Sequence, residues 1–187
     1  AVGKDALFAN TSAANNVAMG YKALTANTSG TEGVAIGASA ALANTTGHRN
    51  LAIGFEAYKA GDAEYDNVAI GYQSMLADNA GGQENTAVGN YSGGNLTSGD
   101  RNAFVGFYAG SACNSGVRNT SLGAYASGAN TGDDNTCIGY AAGNQTIGLG
   151  AGHKNVVIGS HSDVSATDSD NQIAIGYDVS CSGNSNF

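Results

Sequence analysis

Proline and tryptophan are absent from the 187 residues, and charged side chains make up only 12% of them, about half the usual share. Lys and Arg total seven against fifteen acids, for a net charge of −8. So few cations exclude a nucleic-acid groove and an anionic membrane surface as partners. Three cysteines, Cys113, Cys137 and Cys181, are odd in number and match neither a metal-ligand spacing nor a paired framework, which leaves the redox compartment open. Apolar runs are only a few residues long, too short for a signal-peptide core or a membrane span. No membrane insertion is expected, and an export signal or anchor is expected outside these residues.

What is present is glycine, 29 residues of it, and asparagine, 21 residues, in a chain that is still 42% hydrophobic. A disordered linker lacks apolar rhythm, whereas here the rhythm is fixed. A phrase Asn-x-small-Ile-Gly recurs, as in Asn50-Leu51-Ala52-Ile53-Gly54, Asn67-Val68-Ala69-Ile70-Gly71 and Asn135-Thr136-Cys137-Ile138-Gly139. Its closing glycines are Gly20, Gly37, Gly54, Gly71, Gly89, Gly106, Gly123, Gly139, Gly159 and Gly176. They fall 17 residues apart, with a slip of one at Gly89 and at Gly139 and a gap of 20 before Gly159. Such a period marks a stacked repeat architecture.

Inside the phrase, aliphatic residues flank a small one with the period-two alternation of a short strand. Valine and isoleucine are expected to face inward, the Ala column to mark a close backbone approach, and the glycine to form a corner. On this reading Gly71→Val clashes at a corner and Ile70→Asp buries an unpaired charge. A second tight column follows at Ala23, Ala40, Ala57, Ser74, Ser92, Ala109, Ala126 and Ala142, and turn chemistry such as Asn44-Thr45-Thr46-Gly47 completes each coil. The fold class predicted is all-β: a parallel β-solenoid (β-roll or β-helix) of about eleven 17-residue coils, each roughly 4.8 Å above the last. Its coils need every N–H for the neighbouring coil, which accounts for the missing proline. Residues 1–187 read as a single repeat domain, cut inside the repeat at both ends, with 140–159 as an irregular stretch that reads as one enlarged coil in preference to two cramped ones.

Asn67 to Met75 and Tyr21 to Gly30 carry a family resemblance. Asn-x-Ala-Ile-Gly, then Tyr-x-Ala-Leu and an Asn-Thr turn, resembles repeats of phage and algal-virus tail fibres. The phrase is also similar to head repeats of trimeric autotransporter adhesins, whose period is shorter. The resemblance implies left-handed coiling, a homotrimer and an extracellular fibre on a virion or cell, and no heptad stalk, neck or self-cleaving chaperone segment accompanies it here.

Several columns are candidate sites. The residue before the motif asparagine is Glu32, Arg49, Asp66, Glu84, Arg101, Arg118, Asp134 and Lys154 on successive coils, a charge ladder that discourages register slips or forms a binding stripe. The asparagine column, Asn50, Asn67, Asn85, Asn102, Asn119, Asn135 and Asn155, reads as a hydrogen-bonded ladder more readily than as a docking surface. Aromatics follow the corner at Tyr21, Phe55, Tyr72, Phe107, Tyr140 and Tyr177. They either face a carbohydrate ligand or pack along the rod and between chains. Sequons at Asn10, Asn27, Asn44, Asn95, Asn119 and Asn144 are candidate glycosylation sites, although the turn composition generates them unaided. His48, His153 and His161 lie on different coils, and His161-Ser162-Asp163 are too close in sequence to form a triad. Asp163, Asp168 and Asp170 lack a calcium-loop pattern. No catalytic residue, metal or cofactor is expected.

The function expected is a non-enzymatic structural fibre or shaft serving attachment to carbohydrate or a receptor, with stiffness and multivalency as its means. The alternatives are a bacterial adhesin head and a self-assembling filament stacked head to tail. The latter is suggested by the ends, since Asn186-Phe187 followed by Ala1-Val2-Gly3 spells the phrase again. An uncapped solenoid end must be covered or continued.

Overall fold

In a computed structural model the structure describes residues 1–77, 81–128, 130–144 and 148–181. Ten three-residue strands are formed: β1 (Val17–Met19), β2 (Val34–Ile36), β3 (Leu51–Ile53), β4 (Val68–Ile70), β5 (Thr86–Val88), β6 (Ala103–Val105), β7 (Thr120–Leu122), β8 (Thr136–Ile138), β9 (Val156–Ile158) and β10 (Ile173–Ile175). They build one parallel sheet in strict sequence order. Each pairs without offset, so that Ala35 faces Ala52 and Ala52 faces Ala69. The molecule is a parallel β-solenoid, and no helix occurs among the described residues.

About nine turns separate the first strand from the last, fewer than the eleven expected from dividing the length by the period. The difference lies at the two ends and in the long coil. Ala1-Val2-Gly3 keeps the register, with Val2 bridged in parallel to Met19, but forms no full strand. Asn186-Phe187 lies outside the described residues, and so does the proposed seam. β8 pairs directly with β9. Among the described residues no strand lies between them, and in this stretch Gly150 is bridged to Asn130 and Leu149 is buried.

The direction of the strand side chains is the main correction. The middle residue of each strand is buried and its two flanking residues are partly or fully exposed. Ala18, Ala35, Ala52, Ala69 and Ala87 point inward, and Val68 and Ile70 point out. The interior of a 17-residue coil is too narrow for two bulky residues per strand, so the small residue takes the inside.

Into this narrow interior the larger side chains fit by local exchange of volume. Phe104 replaces the inward alanine on β6 and is fully buried. Gly93 and Gly110 make room for it: a Cβ on Gly110 would lie 2.4 Å from the Phe104 ring. Tyr58 is likewise buried where Gly61 stands aside. Buried serines of the second column bond the backbone, as Ser92 Oγ donates to the Phe104 carbonyl at 2.9 Å.

Backbone hydrogen bonds run along the rod axis in both directions. The Leu51 N–H reaches the Asn67 carbonyl of the next coil at 2.8 Å, and the Gly54 N–H reaches back to Ile36 at 2.8 Å. At the corners φ lies between 132° and 145°. A Cβ on Gly71 would sit 2.5 Å from the Gly89 carbonyl oxygen, so no other residue fits there. Non-glycine residues also adopt the left-handed region on every coil, for example Arg49 (φ 54°), Glu56 (φ 53°) and Tyr58 (φ 52°). Each costs about 1 kcal/mol or more. These are retained because they aim the N–H along the axis, as Arg49 to Thr31 and Glu56 to Ala38, both at 3.0 Å.

Two stability predictions follow from this geometry. Ala69→Asp, at a fully buried position, should cost several kcal/mol by burying a charge and should lower the melting temperature more than Ile70→Asp, which faces outward. The reverse order in thermal circular dichroism would overturn the inside-outside assignment. Gly110→Ala should cost about 1–3 kcal/mol through overpacking against Phe104, and Phe104→Leu in the same chain should recover part of the loss.

Candidate functional site

The asparagine column is structural. In each coil the asparagine Oδ1 accepts the backbone N–H of the asparagine one coil on, from Asn67 to Asn50 at 3.0 Å, Asn85 to Asn67 at 3.0 Å and Asn102 to Asn85 at 2.9 Å. Its Nδ2 donates across the coil to a turn carbonyl, as Asn85 to Gly99 at 2.8 Å. The column from Asn50 to Asn155 is buried and both ends of each amide are engaged, so it offers no docking surface.

Beside it the charge ladder resolves into pairs. Arg49 makes a two-bond contact with Asp66 at 2.6 and 2.9 Å, Arg101 bonds Glu84 at 2.7 Å, and Arg118 pairs with Asp134 at 2.5 and 2.8 Å. The like-charged neighbours Arg101 and Arg118 thus turn away to opposite partners. Hydrogen bonding to Arg49 holds the Asp66 carboxyl below the usual carboxylate range, and Arg118 does the same to Asp134. These pairs lie on the surface, where water screens them.

The aromatic column is longer than the six residues singled out by sequence. Rings run without a break from Phe55 to Tyr177. Where the residue after the corner is not aromatic, at Asn90, Ala124 and Ser160, the next residue supplies a ring: Tyr91, Tyr125 and His161. Sequence reasoning missed these because it held to one position of the repeat; the compensation between adjacent positions was the available signal. Phe55 stacks on Tyr72 at 5.3 Å, and Tyr108 lies between Tyr91 at 4.6 Å and Tyr125 at 5.7 Å, nearly parallel to both. Elsewhere the ladder is mostly edge-to-face, with interplanar angles of 67° for Tyr72 on Tyr91, 77° for Tyr91 on Phe107, 88° for Phe107 on Tyr125 and 79° for Tyr125 on Tyr140. A sugar that docks through an apolar ring face would have to compete with these ring–ring contacts. Tyr21 stands apart from the ladder, with the Lys22 ammonium 5.3 Å from its ring centre.

The sequons divide by burial. Asn27, Asn44 and Asn119 are buried, and their Nδ2 groups donate to Gly30, Gly47 and Gly132. The folded rod leaves no room for a glycan on them. Asn10 and Asn95 are exposed, and Asn144 is half-buried.

His48, His153 and His161 form no joint site. His161 belongs to the ring ladder, and His153 Nδ1 accepts the Asp133 N–H at 2.9 Å. Asp163, Asp168 and Asp170 each accept backbone N–H groups, from Gly148, Ala151 and His153 respectively. Among the described residues no three His, Cys, Asp or Glu side chains converge as a metal site. Burial pushes the Cys113 and Cys137 thiols up to about 12, whereas Cys181 is partly exposed. No helix of the described residues is long and apolar enough to cross a membrane.

The face left without partners is the outer side of the sheet. Its two columns, the first and third residues of every strand, contain no charged residue on any of the ten coils. The residue after the corner glycine continues the face as a third column, also uncharged on every coil. Met19, Val105, Leu122 and Ile175 are among the exposed side chains in it. No family model matches the chain, and neither a curated protein nor a solved structure is found to be similar to it.

Two measurements check this picture. At pH 8 iodoacetamide should alkylate Cys181 in the folded protein, with Cys113 and Cys137 reacting only on unfolding, since the thiolate is the nucleophile. A carboxyl with a depressed folded-state value contributes stability that is present above its unfolded value and lost as pH falls through the folded one. The melting temperature should therefore fall between pH 5 and pH 2, and Asp66→Asn with Asp134→Asn should flatten that slope.

Proposed function

We propose that the chain is a non-enzymatic structural rod, part of an extracellular fibre or shaft on a virion or cell, in which copies pack side by side through the outer sheet face. The observation that carries this reading is the uncharged face itself. Ten strands in register hold twenty outward positions of Val, Ile, Leu, Met, Thr and Ala flat, with no charge among them. Exposed apolar patches of such extent mark association surfaces. Register in the sheet makes the face stiff, so little conformational entropy is lost when it is covered. The resemblance to tail-fibre and adhesin repeats supports three copies per assembly, and attachment to carbohydrate or a receptor as the role of the whole fibre. A filament stacked head to tail is the alternative, distinguished by growth along the axis.

Light scattering at micromolar concentration should give a mass three times that of the 18.5 kDa chain. Ile53→Lys with Ile70→Lys should yield monomers that retain β-type circular dichroism. A wild-type monomer would overturn side-by-side packing, and masses that rise without limit with concentration would favour the filament.

A further inference from the structure

We infer that the aromatic ladder is part of the seam between copies, packed against the sheet face of a neighbouring chain, and is not a ligand-facing surface. This rests on the side-by-side packing proposed above and names what else that interface contains.

The dimensions of the face lead to it. Two columns about 7 Å apart make a band roughly 10 Å wide, and ten coils at ~4.8 Å make it roughly 45 Å tall, about 450 Å². A stable interface covers about 800 Å² per partner. The sheet columns alone fall well short. Adding the aromatic column, one residue around the corner and with rings reaching outward, brings the band to roughly 18 Å and the area to about 800 Å². The columns adjoin along the rod, since only the corner glycine separates Ile70 from Tyr72 or Ile53 from Phe55.

Chemistry agrees with the dimensions. The third column is as free of charge as the other two, while charges reappear one residue further on, at Lys22, Glu56 and Asp178. On other coils that position holds the ladder's own Tyr91, Tyr125 and His161, so the charged members border the band on part of its length, as at the polar rim of an interface. The rings hold one another along the axis, mostly edge to face, which keeps them as one ordered apolar column that a neighbouring surface can cover. Phe55, Tyr72, Phe107 and Tyr140 remain 40–50% exposed in the single chain, which is the area a neighbouring copy would cover.

The test replaces Phe55, Tyr72, Phe107 and Tyr140 together by alanine, a residue this position already holds at Ala38 and Ala124, so the coil is expected to fold. Analytical ultracentrifugation should show assemblies that dissociate at concentrations at least tenfold higher than wild type, with the circular dichroism unchanged. In wild type, N-acetylimidazole should leave Tyr72 and Tyr140 unmodified in the assembly and acetylate both in the monomeric Ile53→Lys, Ile70→Lys variant. If wild type assembles but the alanine variant assembles equally tightly and both tyrosines are acetylated in the assembly, the inference is overturned while side-by-side packing stands. Retention of wild type on immobilised polysaccharide, lost in the alanine variant without change in assembly, would also overturn it. A wild-type monomer would remove the packing itself, and this inference with it.

Discussion

Every coil must present its N–H and C=O groups to the coils above and below at one fixed spacing, and the rest of the structure follows from meeting that condition. Leu51 bonding forward to Asn67 and Gly54 bonding back to Ile36 are two instances of a scheme repeated on each turn. The scheme tolerates no proline, demands glycine where one corner lies against the carbonyl of the next, and keeps the period near 17. It also makes left-handed backbone acceptable at residues such as Arg49 and Tyr58, since the strain is offset by bonds aligned with the axis. The longer spacing before Gly159 leaves the pairing of Thr136 with Val156 in register.

The interior contributes differently from that of an ordinary globular protein. Alanine, serine and glycine fill most of it, so each coil buries little apolar area, and polar ladders share the task of holding the stack together. The asparagine amides tie neighbouring coils and close each turn at the same time. Phe104 enters where Gly93 and Gly110 give way, and Leu24, Met75, Leu96 and Leu149 fill the interior on other coils. Apolar bulk is displaced to the outside of the sheet. A single chain therefore carries the larger aliphatic side chains of its strands, Val157 excepted, on a surface that another molecule can cover.

Period, strand position, corner glycines and the asparagine ladder were legible in the sequence because each recurs at a fixed place in the repeat. Side-chain direction was not. Alternation along Val68-Ala69-Ile70 shows two faces but not which is inner, and the larger residues suggested the wrong answer; the coil is too short to enclose them. Left-handed residues were also hidden, since Arg, Glu and Tyr carry no glycine-like signal for that conformation. At the candidate surface, Tyr72 and Phe107 were found by position, whereas Tyr91 and Tyr125 were missed because they occupy the adjacent position and reach the same column. Burial of the Asn27, Asn44 and Asn119 side chains depends on the turn folding inward, which a sequon pattern does not convey.

Orientation of the coil-to-coil hydrogen bonds along the axis has a mechanical consequence. A pull along the rod loads these bonds one coil at a time, like a zipper, and not all together in shear. A coil that peels away shortens the rod by only ~4.8 Å, yet releases 17 residues of chain, about 55–60 Å when extended. Under tension such a rod would yield in steps, each lengthening the tether more than tenfold relative to the height given up. Stiff while intact and extensible once overloaded, it would absorb the work of a sudden load coil by coil.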